Sequence, residues 1–146
     1  MDLQELPEIS RILGGKRVLG QEIHSYFDCI ELGKRGVPKG ALANLANYLG
    51  LSLSQVAQLL PVSERTVQRY DSKTLFNRTV SEHILHIAEV ATKGTEVFED
   101  KENFIAWLNH PSIALGNEVP IDLLRSRLGA DMILDELGRI EHGIFS

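Results

Sequence analysis

Apolar side chains recur every three or four residues along most of the chain, whereas alternating apolar and polar positions are scarce and short. The first spacing is typical of amphipathic α-helices and the second of β-strands. The pattern therefore predicts an all-α fold in which glycine and proline residues separate the helices. The predicted helices cover residues 21–34, 39–49, 53–60, 63–70, 81–98, 102–109, 120–128 and 131–142.

The same spacing predicts which face of each helix points inward. In residues 21–34, Ile23, Phe27 and Ile30 share one face, with Tyr26 at its edge, so we expect them to be buried. Gly129 follows the predicted helix over residues 120–128 and is interpreted as the residue that ends it.

Two short helices are predicted to cross within residues 52–70. Val56 and Leu60 lie on the inward face of the first helix, and Ala57 is small enough for a second helix to pass close by. Ser63 is a suitable N-cap for that second helix. The turn contains Pro61 where such motifs usually place a glycine, but proline can still end the first helix. These features predict a helix-turn-helix.

The second of these helices has an apolar face formed by Val67 and Tyr70. Its other positions are polar and suited to phosphates and base edges in a major groove, which predicts DNA binding. An ordinary helical hairpin in a bundle is the alternative. The predicted DNA-binding residues are Ser63, Glu64, Arg65, Thr66, Gln68 and Arg69.

Charge is distributed unevenly along the 146 residues, which suffice for one domain or two small domains that share a core. The polar stretch 71–78 suggests a boundary, giving predicted domains 1–80 and 81–146. The first contains ten Lys and Arg against eight Asp and Glu, and the second contains five against twelve. An acidic C-terminal half repels DNA and suits a basic partner, although a solvated acidic surface would look the same.

Neither a catalytic motif nor a cofactor motif is recognisable, so we expect no enzymatic activity and no cofactor. His83 and His86 could chelate a metal from one helix, but no motif places a third ligand, and a surface pair is the favoured interpretation. Cys29 is the only cysteine, and because the first residues are acidic and polar and no long apolar run occurs, we expect neither a signal peptide nor a membrane-spanning segment. These features favour a cytoplasmic protein.

An ordered series of residues in the C-terminal half resembles the toxin-binding domain of the Xre/MbcA/ParS antitoxins. Residues 13–15, 36–38 and 63–66 also look like the N-terminal region of that family. Asn117 stands where family members have a glycine, and asparagine tolerates the same left-handed backbone. The matching residues are Trp107-Leu108, Pro111, Ala114-Leu115-Gly116, Pro120, Leu123-Leu124, Gly129, Leu137, Ile140 and Gly143.

The resemblance implies an antitoxin that binds a RES-domain toxin and covers its active site. Such toxins consume NAD or, in the ParS branch, modify a metabolic enzyme with ADP-ribose. It also implies repression of the antitoxin's own operon through the helix-turn-helix, and a two-fold operator implies a homodimer. The predicted toxin-binding residues are Trp107, Pro111, Leu115, Pro120, Leu124, Ile140, Gly143, Ile144, Phe145 and Ser146.

Two questions stay open at this point. The first is whether Ile144 and Phe145 insert into a partner or fold back onto the chain's own core. The second is whether the protein is instead a helix-turn-helix transcription regulator whose C-terminal half only dimerises or senses a ligand. A structural adaptor with a degenerate helix-turn-helix is a further alternative.

Overall fold

The computed structural model describes residues 3–143, and within that range it contains ten α-helices, two short 3-10 turns and no β-sheet. The predicted all-α fold is therefore confirmed. In the same range, no helix combines the length and apolar character needed to cross a membrane. The helices are α1 (Leu6–Leu13), α2 (Gly15–Leu19), α3 (Tyr26–Arg35), α4 (Lys39–Leu49), α5 (Leu53–Ala57), α6 (Glu64–Arg69), α7 (Arg78–Phe98), α8 (Lys101–Leu108), α9 (Pro120–Leu123) and α10 (Arg127–Glu141).

Helix α7 is the central element of the fold, because α1, α3, α4, α8 and α10 all pack against it. It begins at Arg78, three residues before the predicted start. Asn77 caps this end, since its Oδ1 accepts a hydrogen bond of 2.9 Å from the Val80 amide. One continuous apolar core runs from Leu6 to Leu137. The division into domains 1–80 and 81–146 stays a prediction.

The polar connection between α6 and α7 is held against the N-terminal helices. The Phe76 amide donates to the Val37 carbonyl at 2.9 Å, and the Phe76 ring is buried. The Val37 amide in turn donates to Ser81 Oγ at 2.8 Å. These contacts fix the position of the helix-turn-helix relative to α7.

The prediction for residues 21–34 is wrong in its start and in its inward face. Helix α3 begins at Tyr26, and Ile23 is buried from the extended segment before it. Phe27 and Ile30 point outward and are 80% and 51% exposed. Leu32 and Gly33 are the buried residues of α3 instead, and α3 lies close to α7 at Gly33, where a Cβ would come within 3.1 Å of Glu82 Cγ.

The helix predicted over residues 120–128 is also wrong. Helix α9 ends at Leu123, and α10 begins at Arg127 with Ser126 as its N-cap, whose Oγ accepts from the Gly129 amide at 3.0 Å. Gly129 therefore does not end a helix. It lies in the first turn of α10, where a Cβ would come within 1.9 Å of the Leu123 carbonyl oxygen.

Candidate functional site

The helix-turn-helix is assembled by a side-chain cap at the start of each helix. Ser52 and Gln55 form the capping box of α5, with hydrogen bonds of 2.8 and 3.0 Å. Ser63 caps α6 by accepting from the Thr66 amide at 3.1 Å. Both caps were predicted from the sequence, and both are confirmed. Because α5 and α6 have five and six residues, packing rather than length must stabilise them.

The inner face of α6 is anchored at both of the predicted positions. Val67 is buried, and Tyr70 packs its ring on Phe76 with ring centroids 5.3 Å apart. Lys39 Nζ donates to the Tyr70 carbonyl oxygen at 2.6 Å, which satisfies an otherwise free acceptor at the end of the helix. The orientation of α6 is therefore set by contacts with α4 and the following loop.

The outer face of α6 divides the predicted DNA-binding residues into two groups. Ser63 and Thr66 are hydrogen-bonded to each other, and Glu64 bonds to Ser54 and to Gln68. The Ser54–Glu64 contact joins α5 to α6, whereas the other two lie within α6 and its N-cap. The remaining two residues are Arg65 and Arg69.

Both arginines are exposed, and their guanidinium groups make no hydrogen bond or ion pair with any residue in the described range 3–143. They lie four residues apart on one side of α6 and are the groups free to reach a phosphate or a base edge. Contact between DNA and any of the six predicted residues stays a prediction.

A closed loop follows α8 and contains the central part of the antitoxin motif. The Ser112 amide donates to the Glu118 carbonyl at 3.0 Å, and the Asn117 amide donates to the Ser112 carbonyl at 2.8 Å. Gly116 and Asn117 have φ angles of 70° and 64°. The left-handed backbone expected at Asn117 is therefore confirmed, and it allows the loop to close.

Trp107 belongs to an aromatic cluster beside this loop. Its ring lies 5.7 Å from Phe98 and 6.4 Å from Phe104, centroid to centroid, and it is half-buried. Gly94 of α7 makes room for the cluster, because a Cβ there would come within 2.0 Å of Phe104. Trp107 therefore packs into the core on one side and leaves part of its ring exposed on the other.

The other predicted toxin-binding residues fall into three groups by burial. Leu115, Pro120 and Leu124 are buried, so within this chain they shape the loop from inside. Pro111 and Gly143 are exposed, and Ile140 is half-buried. Residues 144–146 (Ile144, Phe145 and Ser146) lie outside the described residues. Contact between these residues and a toxin stays a prediction.

Sequence reasoning missed the most exposed apolar side chains of this region. Ile113 of the closed loop is 89% exposed, and Leu128 of α10 is 72% exposed, with Met132 one turn further along the same face. The 3-10 turn that carries Ile113 packs against α10. The correct start of α10 would have revealed Leu128 and Met132, since they are out of phase with the buried Ile133 and Leu137.

The interpretation of His83 and His86 as a surface pair is wrong. His83 is buried and donates Nε2–H to the Leu124 carbonyl at 2.7 Å, which joins α7 to the end of α9. His86 Nδ1 lies 3.1 Å from Glu89, and its Nε2 lies 2.9 Å from Asp131 of α10. The hydrogen bond with Glu89 raises the pKa of His86, with a further contribution from Asp131. Within residues 3–143, no group of three or more side chains could hold a metal ion.

Comparison with known proteins identifies both parts of the chain. The model of the antitoxin Xre-like helix-turn-helix domain matches residues 30–89. The model of the antitoxin Xre/MbcA/ParS C-terminal toxin-binding domain matches residues 93–143.

Full-length relatives and a solved structure agree with these matches. The chain is similar to Antitoxin Xre of Yersinia enterocolitica, with 26% identity over 117 residues, 77% of this chain and 78% of the relative. It is also similar to Antitoxin Xre of Photorhabdus laumondii, with 26% identity over 113 residues, 76% of each chain. A chain in the crystal structure of the M. tuberculosis MbcT–MbcA toxin–antitoxin complex has the same fold, with a TM-score of 0.58 and 22% identity over 74% of this chain and 96% of that chain.

These matches define the class of protein: an antitoxin with a DNA-binding helix-turn-helix domain, which is a regulatory and non-enzymatic role. The chain contains both domains found in these antitoxins, the Xre-like helix-turn-helix and the Xre/MbcA/ParS C-terminal toxin-binding domain. The resemblance noted from the sequence is thereby confirmed.

Proposed function

We propose that this antitoxin neutralises a RES-domain, NAD-consuming toxin by covering its active site, and that it represses its own operon as a homodimer bound to operator DNA. Both activities belong in the cytoplasm. The helix-turn-helix supplies the DNA contact, and residues 93–143 supply the toxin contact. Inhibition is stoichiometric and acts by burying surface rather than by chemistry.

The observation that carries the DNA part is the state of Arg65 and Arg69. Both are exposed on a helix that is capped and anchored on its other side, and neither is paired within residues 3–143. An unpaired guanidinium on a rigid helix loses little internal bonding when it binds a phosphate or the edge of a guanine.

Removing these two groups tests operator binding. The double variant Arg65→Ala, Arg69→Ala should bind operator DNA more weakly, by about 1–3 kcal/mol for each contact to a base, with a lower salt slope for each contact to a phosphate. A matched control replaces Lys16 and Arg17, two exposed basic residues outside α6, by alanine. Mobility-shift titrations at two salt concentrations measure both effects, and equal losses in the two double variants would remove α6 from the interface.

The toxin part is supported by the exposed apolar surface of Ile113 and Leu128. Each side chain would contribute about 1.5–3 kcal/mol if a partner buried it. The net negative charge of residues 81–146 complements a cleft that binds the phosphates of NAD. Antitoxin relatives share this part of the chain.

Toxin binding is tested with the full chain and the protein encoded beside it. Ile113→Lys and Leu128→Lys should each reduce co-purification of the toxin and inhibition of its NAD consumption, while leaving operator binding unchanged. Failure of the native chain to bind any adjacent gene product, with operator binding intact, would favour the transcription-regulator alternative.

The C-terminal residues are the proposed plug of the toxin's active site. Gly143 has a φ of 69°, which turns the chain away from the axis of α10. Residues 143–146 are therefore expected to reach the entrance of the active site. Deleting them should weaken inhibition of NAD consumption without changing circular dichroism or DNA binding. If the truncated chain inhibits as well as the full chain, the surface around Ile113 is the better candidate for the contact.

A further inference from the structure

The loop between α6 and α7 presents a basic side chain that lies outside the helix-turn-helix. Lys73 is exposed, and its ammonium group makes no hydrogen bond or ion pair with any residue in the described range 3–143. It stands four residues after Arg69, on a segment that leaves α6 as extended chain at Tyr70. The predicted DNA-binding residues end at Arg69, so Lys73 has no role in the function proposed above.

The backbone around Lys73 is held by the loop itself and by α4. Asp71 Oδ1 accepts hydrogen bonds from the Lys73 and Thr74 amides, at 2.9 and 3.0 Å, and from Thr74 Oγ1 at 3.1 Å. The Ser72 carbonyl accepts a further hydrogen bond from the Gly40 amide at 2.8 Å. The backbone of Lys73 is therefore fixed, while its side chain extends into solvent.

One lysine of α4 joins this loop to the end of α6. The Lys39 amide donates to the Thr74 carbonyl at 3.0 Å, and Lys39 Nζ donates to the Tyr70 carbonyl at 2.6 Å. The end of α6 and the loop are thus attached to the same residue. Because of this shared attachment, the backbone of Lys73 keeps a constant distance from the outer face of α6.

The charges of residues 63–78 favour a polyanion at this surface. The segment contains four Lys and Arg against two Asp and Glu, and both carboxylates, Glu64 and Asp71, accept hydrogen bonds within the chain. One of the four cations is paired with a carboxylate, whereas Arg65, Arg69 and Lys73 have no ion pair within residues 3–143. The hydrogen bond from the Lys73 amide lowers the pKa of Asp71 most, and the Lys73 charge adds the smallest part. Lys73 is therefore available to an external anion.

We infer that Lys73 binds a DNA phosphate at the border of the groove that receives α6, and that this contact holds α6 in register on the duplex. Helix α6 has six residues and is about 9 Å long, whereas the major groove is about 12 Å wide. The chain that leaves so short a helix therefore meets the sugar-phosphate backbone beside the groove. A lysine binds a phosphate there as a point charge, which positions the protein without reading sequence.

Lys73→Ala tests this contact in the full chain, with Lys73→Arg as the variant that keeps the charge. Lys73→Ala should weaken binding to operator DNA and to a non-operator duplex of the same length by the same factor, and should lower the salt slope by about one for each bound chain. Lys73→Arg should bind both duplexes as the native chain does. Lys101→Ala is the matched control, because it removes the same charge from an exposed lysine of α8. Mobility-shift titrations at several salt concentrations measure affinity and slope, and circular dichroism verifies the fold.

The inference rests on the operator binding in the proposed function, and the outcomes separate the two. A native chain that binds no DNA from its own promoter overturns both. Native binding with equal affinities and slopes for Lys73→Ala and Lys101→Ala overturns the inference alone. A loss confined to operator DNA would make Lys73 a residue that reads a base and would overturn the phosphate contact, as would weakened binding by Lys73→Arg.

Discussion

The two motifs of this chain are used in opposite ways. In the helix-turn-helix, the polar residues of the pattern lie outside, and Arg65 and Arg69 are free to reach DNA. In the C-terminal motif, Leu115, Pro120 and Leu124 are buried within the chain. The first motif therefore displays the side chains expected to bind, whereas most of the second builds the scaffold on which other side chains are displayed.

The difference follows from the chemistry of the two partners. DNA is bound by charged side chains, which are costly to bury unpaired, so a basic residue on a short helix is expected at the surface. A protein partner is bound largely by apolar side chains, and these have the same spacing whether they face a partner or the core. Phe27, Ile113 and Leu128 are exposed apolar residues of this ambiguous kind.

Leu124→Ala is expected to have the largest effect on stability. Leu124 is fully buried, and truncation should lower the free energy of unfolding by about 2–5 kcal/mol. Toxin inhibition would fall only as far as the protein unfolds. Denaturant titration measures the first quantity and toxin co-purification the second. Unchanged stability with lost toxin binding would contradict the scaffold role and make Leu124 a contact.

Gly129→Ala tests whether α10 is closely packed at its start and open to solvent further along. The added Cβ would overlap the Leu123 carbonyl, at 1.9 Å, so the α9–α10 junction must shift at a cost of about 1–3 kcal/mol or more. Gly138 is the matched control in the same helix, since no atom lies near its potential Cβ. Gly138→Ala should stabilise the protein by about 0.4–1 kcal/mol. Thermal unfolding of both variants measures the difference, and equal shifts would argue against close packing at Gly129.

Ser63→Ala tests whether the polar residues of α6 have separable roles. Loss of the N-cap should lower stability by about 0.5–2 kcal/mol. Arg69→Ala removes an exposed side chain and should change stability by less than about 0.5 kcal/mol while weakening operator binding. Chemical denaturation and mobility-shift titration distinguish the two variants. The distinction fails if Arg69→Ala destabilises the protein as much as Ser63→Ala does.

The smallest expected effect is a pH dependence at the contact between α7 and α10. His86 has a raised pKa in the folded state because its imidazolium bonds to Glu89 and Asp131. The contribution of His86 to the free energy of unfolding is therefore fully present below its unfolded pKa of about 6.5. This contribution is lost as the pH rises through the pKa of His86 in the folded protein. His86→Gln should remove this dependence, with His142→Gln as an exposed control. If the free energy of unfolding changes with pH in the same way for the native protein and for His86→Gln, His86 does not contribute to the pH dependence.

Much of the fold was predictable from local pattern. The predicted bounds of α4, the capping box at Ser52 and the N-cap at Ser63 agree with the structure, because caps and spacing are encoded within a few neighbouring residues. The start of α10 was placed four residues late. Its N-cap at Ser126 follows directly on a short helix, so the pattern of α9 and α10 reads as continuous.

The sequence by itself determined the fold class, the family and the polar face of α6, since periodicity, capping and an ordered motif are all local properties of the chain. Tertiary structure alone decided which apolar residues are buried. Phe27 points outward, whereas Leu32 and Gly33 of the same helix are buried, because packing against α7 selected a different face of α3 from the one that spacing indicated. His83 and His86 became interior groups because α7 is covered by α9 and α10. Burial depends on contacts between distant segments, which no local spacing records.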